Sequence, residues 1–347
     1  MFENTERTEL SNLGEFGLIS HLAKHFEPKN PSTLLGIGDD AAIVKMGDAY
    51  MAVSTDTFIE GVHFDLMFHP LKHLGYKAVA ATVSDICAMN ALPTQITCAI
   101  GLSNRFSLEA VEELYEGMRL ACEKYGVDLI GGDTSSSRSG LILTLTAIGE
   151  VDLKKVTYRK GASVNDLLVV TGDVGGAFMG LQILEREKKV FLEHPSMQPD
   201  LESYDYIVGR QLKAEARVDV IQILDELKIV PTSMMDVSDG IASELFHLGG
   251  ASNVGFDIYE DKLPIDPQTV DTAIAFDLNP SIMALNGGED YELLFTIKQN
   301  DWDKIKNNPD FTVIGHATDL VNSYRLNTKA GNTFDIKAQG WQHFSKD

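Results

Sequence analysis

The residues best suited to chemistry in this chain are carboxylates set among small residues and apolar runs. Six short motifs carry them: GIGDDA (Asp39, Asp40), STDTF (Ser54, Thr55, Asp56), VSDIC (Ser84, Asp85), IGGDTSSS (Gly132, Asp133), MDVSDG (Asp236, Ser238, Asp239) and NGGEDYE (Glu289, Asp290). Each motif alone reads as a turn or a helix cap, because Asp and Ser bond nearby backbone there. The set reads differently. Ordinary turn acids are followed by solvated residues, whereas these are flanked by core sequence. Uncompensated carboxylates in a partly dry cleft repel one another strongly. Carboxylate, hydroxyl and carbonyl oxygens are what hard cations such as Mg2+ take as ligands, often with substrate phosphates completing the shell.

Other groups are less specific. His63 in EGVHF, seven residues after Asp56, reads equally as a working histidine and as a partly buried one beside Phe64. Lys77 reads as decoration of a helix face. Arg159 in VTYRKGA can reach a phosphate as a bidentate donor, although spacing alone does not require it. The stretch TGDVGGAF (171–178) serves equally as an anion-binding helix start and as a tight strand-to-helix turn. Gly36-Ile-Gly38-Asp-Asp-Ala41 formally fits a dinucleotide fingerprint. That fingerprint needs a helix next, and strand-type residues follow instead. No GxxxxGK[ST] phosphate loop is present.

The net charge of −22 over 347 residues argues against nucleic acid and anionic membrane as partners. An anionic substrate would need a locally positive spot or metal cations. The apolar fraction of 44% supports a substantial core, and no apolar stretch is long enough to span a bilayer. The start, MFENTERTEL, lacks the basic and apolar regions of a secretory signal, so the expected address is cytoplasmic. Cys87, Cys98 and Cys122 are odd in number, form no CxxC pair and read as buried thiols.

The elements that must position these groups read as mixed α/β. Two strands flank a turn at Gly47–Asp48, a helix covers HPLKHLGYKAVAATVSDICAMNA, and QITCAIGL and LILTLTAIGEV are strands. The helix in SLEAVEELYEGMRLACEKYG has Ser107 as its cap and Gly126 as its stop. A second block opens with strand, glycine turn and helix in DLLVVTGDVGGAFMGLQIL. It continues through one long helical region, YIVGRQLKAEARVDVIQILDELK, and another strand, turn and helix in SMMDVSDGIASELFHLGG. EDYELLFTI, FTVIGHAT, YRLNT and FDIK in the tail read as strands, with a helix between the first two. The expected domains are residues 1–152 and 153–347.

In order and spacing, GIGDDAA, STDTFIEGVHF, SDICAMNA, LIGGDT, DVSDG, GGEDYEL and IGHAT resemble the thiamine-monophosphate kinase family, within the aminoimidazole ribonucleotide synthetase-like superfamily. The resemblance covers about Gly14 to Phe344. It implies two α/β (α+β type) domains and a homodimer formed through the N-terminal sheets. It also implies an ATP- and Mg2+-dependent reaction turning thiamine monophosphate into thiamine diphosphate. By this resemblance Asp40, Ser54, Thr55, Asp56, Asp85, Asp133, Asp236 and Asp239 are Mg2+ ligands. Tyr115, Gly132, Asp133, Arg159 and Ser238 are ATP contacts, and His63, Glu289 and Trp341 are substrate contacts. One departure touches a turn: Asn165-Asp166 stands where the family often has Gly-Asp.

Related readings fit less well. Selenophosphate synthetases carry a reactive cysteine or selenocysteine near the N-terminus, whereas the first cysteine here is Cys87, inside an apolar helix. Hydrogenase-maturation members end in cysteine, and this chain ends WQHFSKD. Aminoimidazole ribonucleotide synthetase lacks the STDTFIEGVHF and GGEDYEL pair. A protein that binds metal or nucleotide without turnover is the alternative of another class.

Overall fold

A computed structural model describes residues 10–337. After helix α1 (Gly14–Ala23), the N-terminal part comprises β1 (Thr33–Leu35), β2 (Ala42–Met46), β3 (Ala49–Ile59), α2 (Leu71–Ala88), β4 (Leu92–Leu102), α3 (Leu108–Tyr125), β5 (Asp128–Ser136) and β6 (Ile142–Glu150). Its six strands form one sheet in the order β1-β2-β3-β6-β4-β5, antiparallel except between β4 and β5. On β6, buried Leu143, Leu145 and Ala147 alternate with partly exposed residues, so one sheet face is covered and the other open.

The second part runs β7 (Leu167–Thr171), α4 (Gly176–Glu193), α5 (Asp205–Leu212), α6 (Val218–Glu226), β8 (Ser233–Asp236), α7 (Ile241–Ser252), β9 (Gly255–Tyr259), α8 (Pro267–Ala275), α9 (Pro280–Asn286), β10 (Leu293–Ile297), α10 (Trp302–Ile305), β11 (Phe311–Thr318), β12 (Tyr324–Asn327) and β13 (Thr333–Asp335). Its sheet is ordered β13-β12-β9-β11-β7-β10-β8. Strands β7, β8 and β10 are buried at every position but Leu167; β7 and β10 are mainly apolar, whereas β8 ends in the buried acid Asp236.

Helix α2 joins the two halves. It is buried along nearly its whole length, because its run of small and β-branched residues has no polar face. It packs on β3 and β6 on one side and reaches β8, α5 and α6 on the other. Gly75 and Gly117 let α2 and α3 touch backbone to backbone: a Cβ on Gly75 would lie 2.0 Å from the Leu114 carbonyl oxygen. One hydrophobic core therefore runs from Ile43 and Leu145 through Val79 and Ile86 to Val220, Met234 and Phe295.

Ser107 caps α3 by accepting from the Ala110 N–H, and Gly126 ends it in the left-handed region at φ 67°. Asn165 also has positive φ, 72°, which explains both the glycine preference at that turn and the tolerance of Asn. Two expectations need correction. The long helical region after residue 205 is two helices, because 213–217 turns inward: the Ala216 N–H donates to the Tyr125 hydroxyl, and Arg217 binds buried Glu292. Not every acidic motif is a turn: Asp133 lies inside β5, while Asp56 in β3 and Asp85 in α2 sit in the strand and the helix that their wider sequences predict.

Candidate active site

Four different elements deliver the acids. Asp39 and Asp40 sit in the loop between β1 and β2, Asp56 on β3, Asp85 on α2 and Asp236 at the end of β8. One carboxylate oxygen from each of Asp40, Asp85 and Asp236 lies within 4.8 Å of the others. Few protein donors offset them. Arg159 Nη2 lies 2.6 Å from Asp40 Oδ1, and the Arg159 N–H donates to Asp39 at 3.2 Å. The Ser54 hydroxyl donates to Asp85, and the Ser84 hydroxyl to Asp236 at 2.7 Å. Asp40 Oδ2 is buried with no hydrogen-bond partner.

The acids carry this crowding in their protonation. Burial, then Asp40, pushes Asp39 up to about 6. Burial pushes Asp56 to about 6, and burial together with Asp40 takes Asp236 to about 7. Asp85 is raised well above its ordinary value by burial, Asp56, Asp236 and Asp40. An orphaned buried oxygen among clustered carboxylates and hydroxyls is a donor set that fits a hard divalent cation such as Mg2+.

The cluster opens on a cavity of about 750 Å3, lined by Asp56, Asp85, Asp236, Ser238 and Asp239 and also by His63, Glu289 and Tyr291. The Ile59 N–H donates to His63 Nδ1 at 3.0 Å, which makes Nδ1 an acceptor and leaves the neutral ring's proton on Nε2. Ser238 and Asp239 are held from beneath: both backbone N–H groups donate to Glu244 Oε1, at 3.1 and 2.9 Å. Sequence reasoning passed over Glu244, although an acid in the first turn after DVSDG is the signal for such a bond.

Lys77 does not decorate a helix face. It is 3% exposed, binds Glu289 Oε1 at 2.9 Å and donates to the Gln211 carbonyl at 2.9 Å. Gln211 Nε2 donates to Glu289 Oε2 at 2.7 Å, so both oxygens of Glu289 are engaged. The glycine turn at 172–176 resolves as a structural turn. Asp290 accepts from the N–H groups of Gly175, at 2.7 Å, and Ala177, at 3.3 Å, and so occupies the α4 N-terminus itself.

Four expected residues stand apart, whereas Asp56 does not. Asp56 pairs with buried Leu145 and shares the covered sheet face. Asp133 pairs with Ala99, which pairs with Thr144, opposite Thr57, and this row lies on the open face. Three strand spacings separate β5 from β3, about 14 Å. Gly132 lies beside Asp133 on the same exposed strand. Tyr115 lines a second cavity of about 500 Å3 with Arg119 and Glu123. Thr55 also faces outward, bonded to Thr146. Trp341 lies outside the described residues.

Two linked α/β halves with an acid cluster where they meet define a class, and family models bear it out. The AIR synthase related protein N-terminal domain matches residues 38–151, and the corresponding C-terminal domain matches 163–320. The chain is 32% identical to thiamine-monophosphate kinase of Bacillus subtilis, covering 96% of this chain and 100% of the relative. It is 32% identical to that of Escherichia coli K12, covering 96% and 98%. The solved structure of AaThiL complexed with AMPPCP and TMP superposes with a TM-score of 0.82 at 31% identity, over 97% of this chain and 99% of the other. The chain belongs to the thiamine-monophosphate kinase family.

Proposed function

We propose that this chain transfers the γ-phosphoryl group of ATP to thiamine monophosphate, giving ADP and thiamine diphosphate, the last step of thiamine diphosphate synthesis. The buried acid cluster opening on a 750 Å3 cavity carries the reading. Membership of the family supports it, as does the related AaThiL complex with AMPPCP and TMP.

The acceptor is a phosphate with a second pKa of about 6, already largely dianionic at pH 7. It needs no general base, which suits a site whose acids are spent on holding charge. Donor and acceptor together bring a charge of about −6. Asp40, Asp85 and Asp236 would hold Mg2+, with Ser54, Asp56 and Asp239 adjoining; bound there, Mg2+ supplies charge neutralisation and alignment for in-line transfer. Arg159 and Ser238 are assigned to the nucleotide. His63 Nε2–H donates to the acceptor phosphate. Glu289 faces the acceptor's ring end, and Trp341 stacks on its thiazolium by cation–π attraction.

Residues 1–152 and 153–347 share this work as two domains in the cytoplasm. A homodimer formed on the open face of the six-stranded sheet accounts for the residues that stand apart. Strand β5 is exposed along its whole length, including Leu129 and Ile130, an edge that soluble proteins normally cover. In such a dimer Asp133 and Thr55 face the partner, with Gly132 beside Asp133 on the β5 edge and Tyr115 behind that edge, and together they meet metal and nucleotide.

An end-point assay tests the reading. Protein, ATP, Mg2+ and thiamine monophosphate are mixed and the products separated by chromatography. Thiamine diphosphate appearing in step with ADP is the expected result. ADP alone indicates hydrolysis or another acceptor, and bound ATP with no ADP indicates a binding protein.

A further inference from the structure

Two polar side chains on the cavity wall each keep one atom without a partner. His69 and Gln211 both line the cavity, are 2% and 3% exposed, and keep His69 Nε2 and Gln211 Oε1 buried without a partner. Neither residue belongs to the six acidic motifs. Buried polar atoms are almost always satisfied, so two orphans on one cavity point to a ligand.

Their chemistry is fixed by their neighbours. Gln211 Nε2 donates to the Glu289 carboxylate, so the amide cannot be reversed and Oε1 is an acceptor. His69 donates a ring N–H to the backbone of Leu212. With Nε2 unpartnered that bond falls to Nδ1, and in the neutral ring Nε2 then presents a lone pair. Burial and the nearby Lys77 keep the ring neutral, down to about pH 3. The same Lys77 charge disfavours a cationic donor. Phe68 and Phe178, which line the same cavity, offer apolar surface for a flat ring.

We propose that His69 and Gln211 form an accepting subsite for a neutral amino group on a heteroaromatic ring, and that they determine specificity for the aminopyrimidine end of the acceptor. The two hydrogens of one amino group match two lone-pair acceptors. An oxo group in its place would set lone pairs against lone pairs. The proposal rests on the reading of the acceptor as thiamine monophosphate.

The test compares thiamine monophosphate with its analogue bearing oxo in place of the amino group, using the full chain. Wild type is expected to show a KM roughly 10- to 100-fold higher for the oxo analogue. His69→Phe and Gln211→Met bring this ratio close to one while leaving KM for ATP within about twofold, and His69→Gln restores part of it. A merely structural role would weaken both acceptors equally and keep the ratio, and that result overturns the proposal, as does a wild type that does not discriminate. A second readout does not need turnover: NMR saturation transfer to millimolar 4-amino-2-methylpyrimidine and to its 4-oxo counterpart. The amine alone should bind wild type, and neither fragment should bind the variants. Amine binding without phosphorylation of thiamine monophosphate would sink the acceptor assignment and keep the subsite. Phosphorylation with equal binding of both fragments would sink the subsite alone.

Discussion

Two clusters of buried acids among the described residues differ in how they are satisfied. Glu292, 2% exposed, receives Arg210 on one oxygen at 3.1 Å and Arg217 on the other at 2.7 Å, with the Thr171 hydroxyl donating at 2.6 Å. Neighbouring Asp290 takes two backbone N–H groups at the α4 N-terminus. No carboxylate oxygen of this pair is left unpartnered. The Asp40, Asp85 and Asp236 cluster has one arginine, two serine hydroxyls and an orphaned oxygen. Burial raises Asp290 to about 7 just as it raises Asp236, so burial does not separate the clusters. Their partners do. The first is closed by protein cations and holds the fold; the second is completed from outside.

That contrast can be broken by mutation. Arg217→Ala leaves Glu292 short of a partner in the closed cluster and should cost about 3–5 kcal/mol by denaturant unfolding, with no recovery on adding Mg2+. Asp85→Asn should behave in the opposite way. Turnover should fall by more than the roughly 10- to 100-fold seen when an outer-shell group is lost. The chelator-treated protein should keep or gain stability, because one like charge has left a crowded site. If Asp85→Asn instead unfolds the metal-free protein, the open cluster is structural after all.

A pH series sharpens the comparison. Asp39, Asp56 and Asp236 have folded values of about 6, 6 and 7, against about 3.9 unfolded. The folded state therefore binds more protons than the unfolded state between these limits. Their contribution is present below about pH 4 and lost as pH rises through 6 to 7. Mg2+ replaces those protons, so the rise in Tm on adding it should grow between pH 5 and pH 8. A gain independent of pH would place the cation elsewhere. The smallest effect is expected from Ser84→Ala, which removes one donor from Asp236: about 1 kcal/mol in chelator, shrinking once Mg2+ is present.

Much of this was legible in local pattern. Strand alternation, the Ser107 cap, the Gly126 stop and the ordered acidic motifs all report on neighbours in sequence. What stayed hidden depends on partners far along the chain. The strand of Asp56 and the helix of Asp85 were legible, but nothing near them in sequence says that both acids are carried inward to Asp40 and Asp236. Lys77 looked like surface because nothing near it in sequence reveals Glu289, on a loop more than two hundred residues away. The break between α5 and α6 has neither Gly nor Pro to mark it; Tyr125 and Glu292 make it. Asp133 shares its motif style with the other acids, but strand parity sends it to the opposite face.

The most direct test of the difference between the clusters is calorimetric titration of Mg2+ into chelator-treated protein at pH 6.5, in two buffers of different ionisation heat. The account predicts saturable binding accompanied by proton release, since the cation displaces protons held on acids such as Asp236. Both signals should vanish in Asp236→Asn and persist in Thr171→Ser, which touches the closed cluster. Binding without proton release, or binding unchanged in Asp236→Asn, would contradict it.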